Sequence, residues 1–104
     1  MYTPDKWIIV KIPQGAKVLG SWSGGYLDGD SWRLSSGLEK IEEDGDYYLM
    51  HNYSGSIYKC HKEMEGMNMV ALSIFNQLKG MDESVEQISV EEFNEKKWDV
   101  RHDR

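Results

Sequence analysis

The chain opens with a run of apolar positions, Trp7-Ile8-Ile9-Val10, extended by Lys11-Ile12 and bounded by Pro4-Asp5 and Pro13-Gln14-Gly15. A β-branched run between turn formers predicts a strand followed by a turn. Residues 17–22 predict its antiparallel partner and complete an N-terminal hairpin. In residues 31–35 Trp32 and Leu34 alternate with polar neighbours, the period of a strand. Ser36-Gly37 predicts a turn and residues 38–42 a fourth strand. Asp44-Gly45-Asp46 is a hairpin signal, because Asp-Gly suits the left-handed turn that matches strand twist. Residues 47–53 and 56–61, separated by Ser54-Gly55, predict two more strands. Tight turns between short strands predict an antiparallel meander of five or six strands, with one face in need of a cover.

Near residue 62 the pattern changes from strand to helix. Ala71, Ile74, Phe75 and Leu78 fall on one helical face, so a helix is expected over 68–79, started by Asn68 and ended by Gly80. Ser89-Val90-Glu91-Glu92 has the spacing of a capping box. It predicts a second helix from Val90 to about Trp98, with Val90, Phe93 and Lys97 or Trp98 along one side. Residues 85–88 fit either an edge strand or an extended linker, and residues 100–104 read as a frayed tail. Met64, Met67 and Met69 are expected to fill the space between sheet and helix, the alternative being a partner-binding patch. The expected fold is α+β: an antiparallel meander with one or two C-terminal helices on one face. It forms a single domain over 1–104, β-rich over 1–61 and mainly helical over 67–98.

Composition narrows the class. The length of 104 residues suits one domain, and 39% hydrophobic with 29% charged residues is a globular balance. The single cysteine, Cys60, excludes an internal disulfide framework and fits a reducing compartment. The apolar run at 7–10 is too short for a signal peptide or a membrane span, so a cytoplasmic protein without membrane contact is expected. The net charge of −6 is uneven. Residues 1–41 carry five basic and four acidic side chains, the remainder seven and fourteen. Asp82, Glu83, Glu86, Glu91, Glu92 and Glu95 form the acidic stretch. Such a surface repels nucleic acid, whose binding is dominated by phosphate contacts. It reads as a solvated face, or as an attraction for a basic partner.

Chemical signatures are sparse. Cys60 and His61 are adjacent on a strand and point to opposite faces, so they cannot pair, whereas His51 reaches Cys60 only if the register allows. His51, Cys60, His61 and His102 lack metal-ligand spacing, and neither a metal nor a cofactor is expected. Asp28-Gly29-Asp30 with Glu39 resembles part of a calcium loop, but Trp32 and Leu34 interrupt it. Gly24-Gly25 lacks the flanking residues of a P-loop or a dinucleotide fingerprint, leaving a looser anion nest of backbone N–H groups.

The densest feature is residues 20–32, with four glycines, two tryptophans and a tyrosine. Part of the aromatic set, Trp7, Trp22, Tyr26, Trp32, Tyr47, Tyr48, Tyr53 and Tyr58, must form core and cross-strand pairs. Tyr47 and Tyr48 face opposite sides of a strand, so one of them looks outward unless something covers it. The candidate partner- or ligand-binding residues are Trp22, Gly24, Gly25, Tyr26, Trp32 and Arg33.

Residues 17–37 resemble small uncharacterised accessory proteins of large tailed bacteriophages, and residues 54–62 add to the likeness. The resemblance covers about half the chain and implies a compact protein made during infection. It carries no functional residue. The expected function is a non-enzymatic intracellular binding or regulatory protein that modulates a host protein. The alternative is a small-ligand or nucleotide-binding module using the glycine- and tryptophan-rich loop. A protein partner is expected, an uncovered sheet face or edge admits a homodimer, and no direct nucleic-acid contact is expected.

Overall fold

The computed structural model describes residues 1–24 and 29–95. Among the described residues the elements are, in chain order, β1 Lys6–Ile12, β2 Gly15–Trp22, β3 Ser31–Leu34, β4 Leu38–Asp44, β5 Tyr47–Asn52, β6 Ile57–His61, a 3-10 turn at Lys62–Met64, α1 Met69–Met81, β7 Glu86–Ile88 and α2 Val90–Glu95. The class is α+β, as expected, but the strands form two antiparallel sheets rather than one meander. Their orders are β3-β2-β1-β7 and β4-β5-β6.

The reason lies in β1. Trp7, Ile8, Ile9 and Val10 are all fully buried. Successive side chains point to opposite faces, so four buried in a row need cover on both sides of the strand. Ile8 and Val10 face the helix layer, where Leu19, Ala71 and Val85 join them and Ile74, Phe75 and Leu78 pack against the cluster. Trp7 and Ile9 face the second sheet, with Val18, Leu38, Met50, Tyr58 and Cys60. One strand therefore serves two cores, and the second sheet supplies the cover that a single meander would lack.

The chain changes sheets at Ser35. Its N–H donates to the Val18 carbonyl at 2.9 Å, and its Oγ accepts from the Val18 N–H at 2.9 Å. That side chain stands in for the next ladder carbonyl, so pairing with β2 ends and Ser36-Gly37 lead away. The second sheet lies across the first. Tyr58 of β6 approaches Gly20 of β2, where an added Cβ would sit 3.5 Å from its ring and 3.0 Å from Pro4. Farther along β6, the His61 carbonyl accepts from Trp7 Nε1 of β1 at 2.7 Å.

The helical half follows its pattern with two adjustments. Asn68 caps α1 by accepting from the Ala71 N–H at 2.9 Å. Gly80 does not end the helix; it lies inside, and Asp82 closes the last turn by donating its N–H to the Leu78 carbonyl at 3.1 Å. The Asp82–Ser84 turn and a 2.8 Å bond from Lys79 Nζ to the Val85 carbonyl then redirect the chain. Residues 86–88 take the edge-strand alternative and pair with β1. Ser89 and Glu92 form the capping box reciprocally, at 2.9 and 3.0 Å. Val90 and Phe93 of α2 are buried in the core between the sheets. Of the three methionines, only Met67 packs against the core; Met64 and Met69 are exposed. The expected continuation of the second helix to Trp98, and the tail at 100–104, lie outside the described residues.

Candidate functional site

The glycine-rich segment leaves β2 at Trp22 and returns into β3 at Ser31. Trp22 pairs with Ser31, Ser21 with Trp32 and Gly20 with Arg33. Directly paired residues share a face, so Trp22 and Arg33 lie on the side of the second sheet, and Trp32 lies with Leu34 on the side of α1. The two tryptophans of the expected platform are therefore separated by the ladder itself. Tyr26 and Gly25 lie outside the described residues, and Gly24 is half-buried.

Trp22 is tied inward. Its Nε1 donates to the Thr3 carbonyl at 3.0 Å, and its own carbonyl accepts from Asn68 Nδ2 at 3.2 Å. Beside it the Ser23 N–H donates to Asp5 Oδ2 at 2.8 Å. These bonds lash the base of the loop to the N-terminal segment and to the start of α1. Arg33 is also engaged, its guanidinium lying 4.4 Å from the centre of the Tyr2 ring. Burial pushes the Tyr58 hydroxyl above its ordinary range, and the nearby Arg33 charge partly offsets this. Trp32 differs from both: 43% of its surface is exposed, whereas Trp7 is fully buried.

Cys60 offers no nucleophile. It is fully buried, and burial pushes its thiol up to about 12, far from thiolate at neutral pH. His51 does not approach it: β5–β6 register pairs His51 with Ile57 and Cys60 with Tyr48, so the two lie on opposite faces. His51 instead meets Glu42 on the outer face of the second sheet. His61 accepts from the Glu63 N–H through Nδ1 at 3.1 Å.

Among the described residues no three His, Cys, Asp or Glu side chains gather as metal ligands. Within the window that resembles part of a calcium loop, β3 takes the middle and Glu39 sits on β4 rather than on an incoming helix, in line with a polar-turn reading. Tyr48 turns inward and meets Trp7 edge-on at 5.8 Å, while Tyr47 looks outward, edge-on to His61 at 5.1 Å with Lys59 over its ring at 4.5 Å.

Two features escaped the sequence reading. One is the edge position of β3 in its sheet. The other is a groove of about 330 Å³ at the far end of α1, walled by Ile12, Leu34, Leu78, Met81 and Val85, with Lys17 at its rim. The period-two alternation at 31–35 hinted at the first; nothing local signals the second, which joins four separate elements.

Family models, curated proteins and solved structures yield no match to this chain. Among the described residues no helix is long and apolar enough to cross a membrane. The acidic residues Asp82, Glu83, Glu86, Glu91, Glu92 and Glu95 are all exposed, spread over the turn after α1, β7 and α2. They have local structural tasks as well. Ser84 hydrogen bonds hold Asp82 below the usual carboxylate range, and Glu92 closes the capping box.

Proposed function

We propose that this chain is a non-enzymatic, cytoplasmic binding protein that modulates a protein partner, with Trp32 as the centre of its contact surface. The supporting observation is the 43% exposure of that indole on an edge strand, in a protein whose other strand tryptophans are buried or hydrogen-bonded inward. An exposed tryptophan on a rigid strand offers a large contact area at small entropic cost, the character of an interface hot spot. The likeness to phage accessory proteins adds a setting, namely action on a host protein during infection. The exposed acidic stretch supplies a long-range attraction for a basic surface.

Affinity purification of the tagged protein from its native cell, followed by mass spectrometry, tests this reading. Trp32→Ala should lose whatever the wild type retains, while its melting temperature stays close to wild type. Retention of the same partner by Trp32→Ala overturns it. The ligand-binding alternative, in which glycine backbone amides hold an anion and Arg33 or Lys17 supplies charge, is less well supported, because Arg33 already lies over Tyr2 and Lys17 sits at the end of β2 away from the loop.

A further inference from the structure

A sheet edge carries unpaired backbone groups, and single-chain sheet proteins guard theirs with charge, bulges, short strands or a covering segment. Three of the four edges here are guarded. β7 is three residues long and begins on Glu86. β4 has an irregular register between Leu38 and Lys40 and carries Glu39, Lys40, Glu42, Glu43 and Asp44. β6 is covered by the N-terminal segment: the Tyr2 N–H donates to the Ile57 carbonyl at 2.9 Å, and the Lys59 N–H to the Tyr2 carbonyl at 2.7 Å.

β3 is short as well, at four residues, but among the described residues it has neither a bulge nor a covering segment. It contains neither lysine nor proline, and its one charge, Arg33, is drawn back over Tyr2. The Ser35 N–H bonds to β2, so by alternation Ser31 and Arg33 also direct their backbone groups to β2. Those of Trp32 and Leu34 point the other way, out from the sheet.

We propose that this edge pairs with the same edge of a second copy, antiparallel, about a two-fold axis at Trp32. The proposal rests on reading Trp32 as a contact residue and names the occupant of that surface when no other partner is bound. With the axis at Trp32, each Trp32 N–H donates to the Trp32 carbonyl of the partner subunit, and the outward groups satisfy one another by symmetry. Indole lies beside indole as a cross-strand aromatic pair, and Arg33 lies opposite the partner subunit's Ser31. Moving the axis to Arg33 would set like charges directly opposite, so charge selects the Trp32 register. The two four-stranded sheets then become one continuous sheet. Self-pairing covers the very indole that another protein would use, so dimer formation and partner capture compete.

Sedimentation of the full chain, from low micromolar to its solubility limit, tests this. Reversible dimerisation is expected, weakened about tenfold or more by Trp32→Lys, which places two ammonium groups at the axis. Backbone amide exchange provides a second measurement on the unaltered protein: the Trp32 N–H should exchange more slowly as concentration rises. A wild type that stays monomeric throughout, a dimer that survives Trp32→Lys, or a Trp32 amide indifferent to concentration each overturns the proposal. A monomeric wild type with Trp32-dependent capture would remove the dimer alone. Capture indifferent to Trp32→Ala would remove the partner-binding reading whatever the state of association.

Discussion

Trp22 and Trp32 point to opposite sides of one ladder, because Trp22 is paired with Ser31 and Trp32 with Ser21. The same residue type thus has two tasks at one end of the sheet. Trp22 anchors the loop to Thr3 through its indole N–H, and Trp32 leaves its ring toward solvent.

That division predicts different costs. Trp22→Phe keeps an aromatic ring, though a smaller one, and leaves the Thr3 carbonyl without its donor, and should lower stability by about 1 kcal/mol or somewhat more. Trp32→Ala removes a half-exposed ring and should shift the urea midpoint less than Trp22→Ala does. Urea unfolding followed by far-UV circular dichroism ranks the variants. The reverse order would mean that Trp32, not Trp22, is the structural ring.

Ser89→Ala is expected to cost about 1 kcal/mol, since the hydroxyl accepts the Glu92 N–H and its loss leaves a donor in the first turn of α2 unpaired. Glu92→Ala should cost less, because the Ser89 N–H it serves lies at the exposed end of the box. A double-mutant cycle in thermal unfolding should give a sub-additive sum if the two bonds act as one unit. Full additivity would show them to be independent.

Local signals carried much of the fold. Asp44-Gly45-Asp46 set one hairpin, with Gly45 at φ 61°, and Ser89 to Glu92 set the start of a helix. The spacing of Ala71, Ile74, Phe75 and Leu78 identified the buried face of α1. These are contacts within a few residues, where the chain itself supplies the geometry. The split into two sheets was hidden because it depends on Ser35, an ordinary serine whose hydroxyl replaces a ladder partner only once Val18 is in place. The unbroken apolar run of residues 7–10 was the available clue, since such a run asks for cover on both faces. The candidate site was less legible. Sequence proximity grouped Trp22, Trp32 and Arg33, whereas strand parity and the Tyr2 ring divide them.

Glu65 gives a pH dependence of defined sign. Burial first, and the Glu91 charge second, hold its carboxyl above the usual range, against a hydrogen bond from Gln87. The native state therefore binds this proton more tightly than the unfolded chain does. Its contribution should improve as pH falls through the raised native value, and level off below the unfolded value near 4.5. Glu65→Gln keeps the shape without the charge, so it should raise the melting temperature at neutral pH. The gain should shrink in acid. Thermal melts across that range decide the point, and a gain independent of pH would mean that charge is not the cause.

Cys60 is a probe of the core between the sheets. Its side chain is fully buried, its Sγ donates weakly to the Tyr58 carbonyl at 3.7 Å, and burial pushes its thiol up to about 12. Only thiolate reacts with a maleimide, and only where the reagent can reach it. Native labelling should therefore proceed through opened molecules, whose fraction is set by the unfolding free energy, at about one-thousandth or less of the rate in the unfolded chain. Low urea should accelerate it in step with the fall in stability. Alkaline pH acts in the same direction. The unfolded thiol ionises near 9.0 and the native thiol only near 12, so stability should be lost progressively as pH climbs between those values. Rapid stoichiometric labelling of the native protein at neutral pH would show Cys60 to be accessible. It would remove the packing of β6 against β1 on which the two-sheet arrangement depends.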